Sequence, residues 1–417
     1  MNSPMVYCAG PDYTPEDRWQ LDAVEGGLRS NGFQTYRPFR DGLDGLCQDL
    51  SRRDEKTRAK TARSVFSLNL FRLIEKCEAV IFSMNGRVPD AGGIIVSAVA
   101  AVSGIPVVLH KQDHRSTFHG HDNAMITGLS PTFSTRSDLN RSIDALIKET
   151  SRRKRRGPGY SLPPLMAETI DLGRRLDEIL TGYRPLSAAD AEMVLTEALA
   201  AYDEITAQKP TRKDAAAPKG VVYCSGPLFC PGEIRVMSDI ARSLESSGWK
   251  TYLPHRDGIE AFVMKNTDNY AANFFRPLVR FFHRLTFAVD VYYILKCDCL
   301  VFNMNGRVPD EGGVAEIGMA YAAGKPVVLY QEARDGSGIE TIDPMIAAVG
   351  IQATPVTCLE QIPGQLEQID PVGYRMDDLT GMAPELLSPH MQGMVRWGQK
   401  AVRIMNRLSF IKPQTLF

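Results

Sequence analysis

No stretch of the sequence is apolar for long enough to cross a membrane, and the opening segment MNSPMVYCAGPDY lacks the cationic-then-apolar pattern of a leader peptide. Charge of one sign is also missing. The 48 Lys and Arg residues face 49 Asp and Glu, leaving a net charge of -1, so bulk electrostatics calls for neither nucleic acid nor a membrane surface. Cysteine is too sparse for a disulfide scaffold, at eight in 417 residues. Cys297 and Cys299 have no second cluster to complete a zinc site. Cys8, Cys77, Cys224 and Cys297 fall in apolar runs and read as buried free thiols, for which a reducing cytoplasm fits best. Neither a metal nor a redox cofactor is expected. With 44% hydrophobic residues, the chain has the make-up of an ordinary soluble globular protein, long enough for two domains with real cores.

Internal repetition decides the organisation. Met5-Val-Tyr-Cys-Ala-Gly-Pro11 returns as Val221-Val-Tyr-Cys-Ser-Gly-Pro227. Gly32-Phe-Gln-Thr-Tyr-Arg-Pro-Phe-Arg-Asp-Gly42 returns as Gly248-Trp-Lys-Thr-Tyr-Leu-Pro-His-Arg-Asp-Gly258. Lys76-Cys-Glu-Ala-Val-Ile-Phe82 matches Lys296-Cys-Asp-Cys-Leu-Val-Phe302, and Gly86-Arg-Val-Pro-Asp-Ala-Gly-Gly93 matches Gly306-Arg-Val-Pro-Asp-Glu-Gly-Gly313. The offset is 216 at Met5/Val221 and 220 at Lys76/Lys296, so little has been inserted. The chain is a tandem duplication. Strands alternate with helical patterns in each copy, which implies α/β architecture with parallel sheets. The expected fold is two tandem Rossmann-like or flavodoxin-like domains forming a pseudo-dimer, with additional helical segments. The boundaries are 1–150 for the first copy, 151–219 for a helical segment and linker, and 220–417 for the second copy with its last helices. Leu165 to Leu180 and Met391 to Leu408 occupy equivalent places after the two sheets. Lys209 to Lys219 reads as a flexible linker, and Arg152 to Arg156 as a solvated charge cluster.

The richest stretch is Val301 to Tyr330, which reads as strand, loop, helix, strand. Gly312 and Gly313 open its helix and let backbone approach a ligand. Asp310 precedes the helix and Glu316 falls in about its first turn, where the dipole favours an ionised carboxylate. An ionised carboxylate at the carboxyl edge of a parallel sheet is a candidate nucleophile, although dipole partner and turn residue are the plainer roles.

The second copy resembles the nucleoside 2-deoxyribosyltransferase family, through Tyr223-Cys-Ser-Gly-Pro-Leu-Phe229 and Asp310-Glu-Gly-Gly-Val-Ala-Glu-Ile-Gly-Met-Ala320, with Asp290 fitting a further family position. The resemblance implies a transferase of nucleotide salvage that acts on a 2'-deoxynucleoside and a nucleobase. Glu316 would attack the anomeric carbon and form a deoxyribosyl ester, which a second base displaces with retention. Asp290 would supply or relay the proton to the leaving base, Asp310 would contact sugar hydroxyls, and Tyr223 would hold Glu316. Ser225, Gly226, Phe229, Asp257 and Gly313 are candidate substrate contacts.

The first copy keeps Tyr7 and Asp90 but places Val96 where Glu316 would lie and Leu70 where Asp290 would lie, so its own sheet should be inert. In the family, an Asn-x-Met segment reaches into the neighbouring subunit's pocket. The first copy has Asn123-Ala-Met125 there, whereas the second has Asp343-Pro-Met345. The losses are complementary, which implies one composite site: machinery from the second copy, with Asn123 and Met125 lent by the first. Capping a surface turn is the plainer role for Asn123.

Other features carry less. Arg256-Asp257-Gly258 survives in the first copy as Arg40-Asp41-Gly42, which favours a turn role. His119-Gly-His121 is too little for a metal. Phe274 to Phe287 reads as a buried helix with a basic edge rather than a base pocket. Two rival functions stand beside the transferase: a nucleoside or nucleotide N-glycosidase in which water resolves the ester, and a non-catalytic nucleotide sensor. Purine or pyrimidine preference is open, and pseudo-dimers could assemble further.

Overall fold

A computed structural model describes residues 3–46, 54–86, 88–115, 121–153, 162–183, 190–207, 219–260, 276–306, 308–332, 342–368 and 387–407. Residues 209–218 of the expected linker, 154–156 of the basic run, His119 and residues 274–275 lie outside the described residues. In the first copy, β1 (Met5–Ala9), β2 (Gln34–Tyr36), β3 (Cys77–Ser83) and β4 (Val107–His110) form one sheet. In the second, β5 (Val221–Ser225), β6 (Lys250–Tyr252), β7 (Cys299–Asn303) and β8 (Val327–Tyr330) form another. The orders are β2-β1-β3-β4 and β6-β5-β7-β8, all parallel. Helices cover both faces, so the valine- and isoleucine-rich central strands are buried on each side. The α/β fold with two tandem parallel-sheet domains is as expected. Helices Pro15–Ser30 and Pro231–Ser246 follow the first strand of each copy. Such sheets bind ligands beyond the carboxyl ends of their strands, where β1 and β3, or β5 and β7, diverge to opposite sides.

Before its third strand, the first copy carries helix Glu55–Phe71 and a π-helical turn, Arg72–Lys76. The second copy runs through helix Arg276–Lys296 to β7. A π turn absorbs one extra residue. The register on its two sides therefore differs, with consequences for the site. The helices predicted to be equivalent are so placed: Gly173 of Pro164–Gly182 presses on the Ser67 carbonyl, and Gly398 of Pro389–Arg407 on the Ala288 carbonyl. A side chain at either glycine would strike backbone. Arg152 pairs with Glu149, and Arg153 bonds to Glu78 and the Cys77 carbonyl, so the described start of the basic run is tied to its own domain.

The copies meet across helices Ala91–Val102 and Glu311–Ala322, and one apolar core runs continuously through both. Small residues allow the approach. A Cβ at Gly318 would lie 2.8 Å from Ala98 Cβ and 3.1 Å from the Ile95 carbonyl. Gly318→Leu should therefore overpack the seam and destabilise the chain by about 1–3 kcal/mol. Chemical denaturation checks this; an unchanged midpoint would show that the seam yields freely.

Candidate active site

Glu316 lies in the second turn of helix Glu311–Ala322, not the first, and only 5% of it is exposed. The helix N-terminus belongs to Asp310, whose Oδ2 accepts from the Gly313 N–H at 2.8 Å. Both oxygens of Glu316 are held: the Tyr223 hydroxyl donates to Oε1 at 2.8 Å and the Ser225 hydroxyl to Oε2 at 2.5 Å. Both donors come from β5, which runs beside β7 and ends under the helix. Gly226 follows with φ +152°, and a Cβ there would meet Asn303 Cβ at 2.8 Å, so only glycine suits this turn. The expectation of a carboxylate eased by the helix dipole is corrected. Burial, then the charge of Glu260, push the Glu316 carboxyl above the usual range, while the Ser225 and Tyr223 hydroxyls oppose the shift.

Glu260 carries no mark in the sequence motifs, yet it stands at the centre of the charge network. Its carboxyl interacts with that of Asp290, which is 1% exposed and accepts from the Tyr252 hydroxyl at 3.4 Å. Glu260 Oε2 and Asp290 Oδ2 are both buried with no donor among the described residues, an arrangement that a proton shared between the two carboxyls would satisfy. Burial first, then Glu260 and Glu316, raise Asp290 well above the carboxylate range, which favours the proton on Asp290.

The first copy corroborates this assignment. There the Tyr36 hydroxyl donates to Asn69 Oδ1 at 2.9 Å, and Asn69 Nδ2 donates to Asp44 at 3.0 and 3.2 Å. Asn69, not Leu70, is therefore the counterpart of Asp290, and Asp44 that of Glu260. The π turn explains the slip of one residue. An amide always donates through its nitrogen, so Asn69–Asp44 is an isostere of protonated Asp290 paired with Glu260.

The cavity above Glu316 has a volume of about 120 Å³. Gly226, Phe229, Glu260, Asp310, Gly312 and Glu316 of the second copy line it together with Asn123, Ala124 and Met125 of the first. Asn123 caps the short helix Ala124–Thr127 by accepting from the Met125 N–H at 2.8 Å, and its Nδ2 lies where a Cβ on Gly312 would be only 3.1 Å away. The turn-capping role and the position at the neighbour's pocket thus hold together. Ser225 reaches the site through Glu316, and Gly313 packs on the Phe302 ring rather than facing the cavity. Asp257 is not brought in. It accepts from the Leu253 N–H at 2.9 Å and pairs with Arg256, as Asp41 does with the Arg37 N–H and Arg40, so the shared tripeptide builds a turn.

His283 and Thr286 also line the cavity, from the helix read only as buried with a basic edge. The Thr286 hydroxyl is buried and has no hydrogen-bond partner among the described residues, which leaves it available to a ligand. His121 and His283 stand edge to face at 5.4 Å, and among the described residues no three His, Cys, Asp or Glu gather as a metal site would need.

These buried acids and bases set a pH dependence of stability. Glu316 is raised to about 8, Glu260 and Asp44 to about 7, and Asp310 and Asp343 to about 6, chiefly by burial. A carboxyl raised on folding favours the fold below its unfolded value, about 4, and loses that contribution as pH climbs through the folded value. His110, His255, His283 and His390 are lowered by burial, so their contribution is present above about pH 6.5 and lost as pH falls. Calorimetric Tm should therefore peak near about pH 6.5 and decline toward about pH 8.5. A Tm still climbing over that interval would contradict the buried-carboxyl assignment.

A comparison with curated proteins gives no match. A comparison with protein families matches one family twice, over residues 6–129 and 222–349, once for each copy, under the description nucleoside 2-deoxyribosyltransferase. Both matches take in the first strand, the glycine-opened helix and the loop that reaches the other copy. The chain belongs to the nucleoside 2-deoxyribosyltransferase family, as a tandem duplication.

Proposed function

We propose that the second copy exchanges the base of a 2'-deoxynucleoside through a covalent deoxyribosyl ester on Glu316. The observation that carries this reading is a buried carboxylate, gripped at both oxygens by Tyr223 and Ser225, on the floor of a cavity completed by Asn123 and Met125 of the other copy. The grip fixes the carboxylate in one orientation, and an anion is what a cation-like sugar transition state requires. Glu316 oxygen bonds the anomeric carbon as the bond to the base breaks, and the bonding pair leaves with the base. A proton must reach that base. Glu260 lines the cavity and Asp290 lies behind it, so Glu260 hands on the proton that Asp290 stores.

The two events are coupled by charge. Forming the ester removes the negative charge of Glu316, one of the charges that raise Asp290. The Asp290 carboxyl becomes more acidic as the base needs the proton. The incoming base returns the proton and takes the sugar from the opposite direction, with net retention.

Incubation with 2'-deoxyinosine, with and without free adenine, tests the reaction. Exchange needs the added base; release of hypoxanthine at the same rate without adenine would mean that water is the acceptor and the enzyme an N-glycosidase. The composite site has its own test in Asn123→Asp, which installs the residue found at Asp343 and preserves the helix cap, since Asp343 also accepts from the Met345 N–H at 2.8 Å. The variant loses the amide donor and gains a charge, and kcat/KM should fall roughly 10- to 100-fold. An unchanged kcat/KM would remove Asn123 from the site.

A further inference from the structure

The cavity of the inert copy is larger than that of the second. Its volume is about 490 Å³, within the roughly 300–1,000 Å³ of small-molecule sites. Tyr7, Asp44, Asn69, Asp90 and Val96 of the first copy line it, and Asp343 and Met345 of the second complete it. Asp90 caps its helix through the Gly93 N–H at 2.7 Å, as Asp310 does in the second copy. Met345 enters as Met125 does on the other side, with its sulfur 3.8 Å from Asn69 Nδ2.

The differences at the reacting centre are chemical. Val96 replaces the attacking carboxylate, Ala9 the Ser225 hydroxyl that grips it, and Asn69 the proton-storing acid, with an amide that has no proton to give; Asp343 stands where the second copy's pocket receives Asn123. Other acceptors of the frame remain. Asp44 keeps the cavity-facing position of Glu260, and Asp90 that of Asp310. A pocket without a ligand would gain stability by filling with apolar side chains, because buried polar groups are costly unless used. This one is open and presents the carboxyls of Asp44, Asp90 and Asp343.

We propose that the first copy's pocket binds an intact, uncharged nucleoside and does not cleave it. Asp90 and Asp343 face the cavity as acceptors for sugar hydroxyls, and Asp44 is placed to accept an N–H of the base. A 5'-phosphate is disfavoured by these carboxylates. The arginines at the rim do not offset them, because Arg37 is bound to Asp12 and Asp22 and Arg18 stands 3.7 Å from Asp12. The ligand class rests on the reading of the second copy; the absence of cleavage follows from Val96 and Asn69 alone.

The test counts binding sites on the full chain carrying Glu316→Gln, by calorimetric titration with 2'-deoxyinosine, thymidine, adenosine and thymidine 5'-monophosphate, while base exchange is assayed on the unaltered chain. Two equivalents of at least one uncharged nucleoside should bind per chain, and the nucleoside should be recovered intact. Adding Asp90→Asn, which can still cap the helix, should weaken one equivalent roughly 10- to 100-fold. Val96→Phe, which fills the cavity, should remove that equivalent. A single equivalent unaffected by either change, or no binding by any probe, overturns the proposal, and so does tighter binding of the monophosphate. Exchange with only one binding equivalent sinks this site and leaves the transferase; two equivalents without exchange do the reverse.

Discussion

Glu316→Gln should lower base exchange by at least ~10⁴-fold while leaving the chain folded. Glutamine fills the same space and its carbonyl oxygen can still accept from Tyr223 or Ser225, so one of the two grips persists. It cannot form a stable ester with the sugar. The same change should make the chain more resistant to heat above neutral pH. Burial raises the Glu316 carboxyl, so its folded form loses stability as pH climbs through the raised value, and a neutral amide has no such loss. Activity gone and Tm raised at about pH 8 is the expected pair of results. Activity within tenfold of the unaltered chain would exclude a covalent role for Glu316.

Asp290→Asn should cost about 10²–10⁴ in turnover, with the fold again intact. The first copy shows why the fold survives: Tyr36, Asn69 and Asp44 make the network that Tyr252, an amide at 290 and Glu260 would make. What disappears is the transferable proton. The pH profile separates loss of chemistry from loss of shape. In the unaltered chain activity should rise as Glu316 loses its proton, with burial setting that limb above the ordinary value of about 4. It should fall again as the Asp290–Glu260 pair loses the proton the base requires. Asp290→Asn should keep the rising limb and abolish the falling one. A profile still bell-shaped at reduced height would mean that the pair is only structural.

Much of this is legible in the chain. The duplicated strand and loop phrases specify the two-sheet architecture, and the complementary pattern at Val96, Glu316, Asn123 and Asp343 points to a pocket shared between copies. Two things are not. A single offset carried along the chain pairs Leu70 with Asp290, but it crosses a stretch where a π turn takes up an extra residue, and only the shared tyrosine bond identifies Asn69. Glu260 is hidden because it lies just past a repeat end, although Asp44 stands at the same offset of 216 as the preceding match. Its meaning comes from Asp290, far along the chain, which no local pattern encodes. The ionisation of Glu316 escapes the sequence for a related reason. Helix position can be read from sequence, but the burial that outweighs it depends on packing against the other copy.

The account turns on a sugar-bearing Glu316 served by both copies. The chain should be mixed with 2'-deoxyinosine in the absence of acceptor base, quenched in acid, digested and examined by peptide mass spectrometry. One deoxyribosyl group on the peptide containing Glu316, lost when adenine is added before the quench and much reduced in Asn123→Asp at equal early times, is the predicted result. Exchange proceeding with that peptide unmodified, or with the sugar on Asp310 or Glu260 instead, would contradict it.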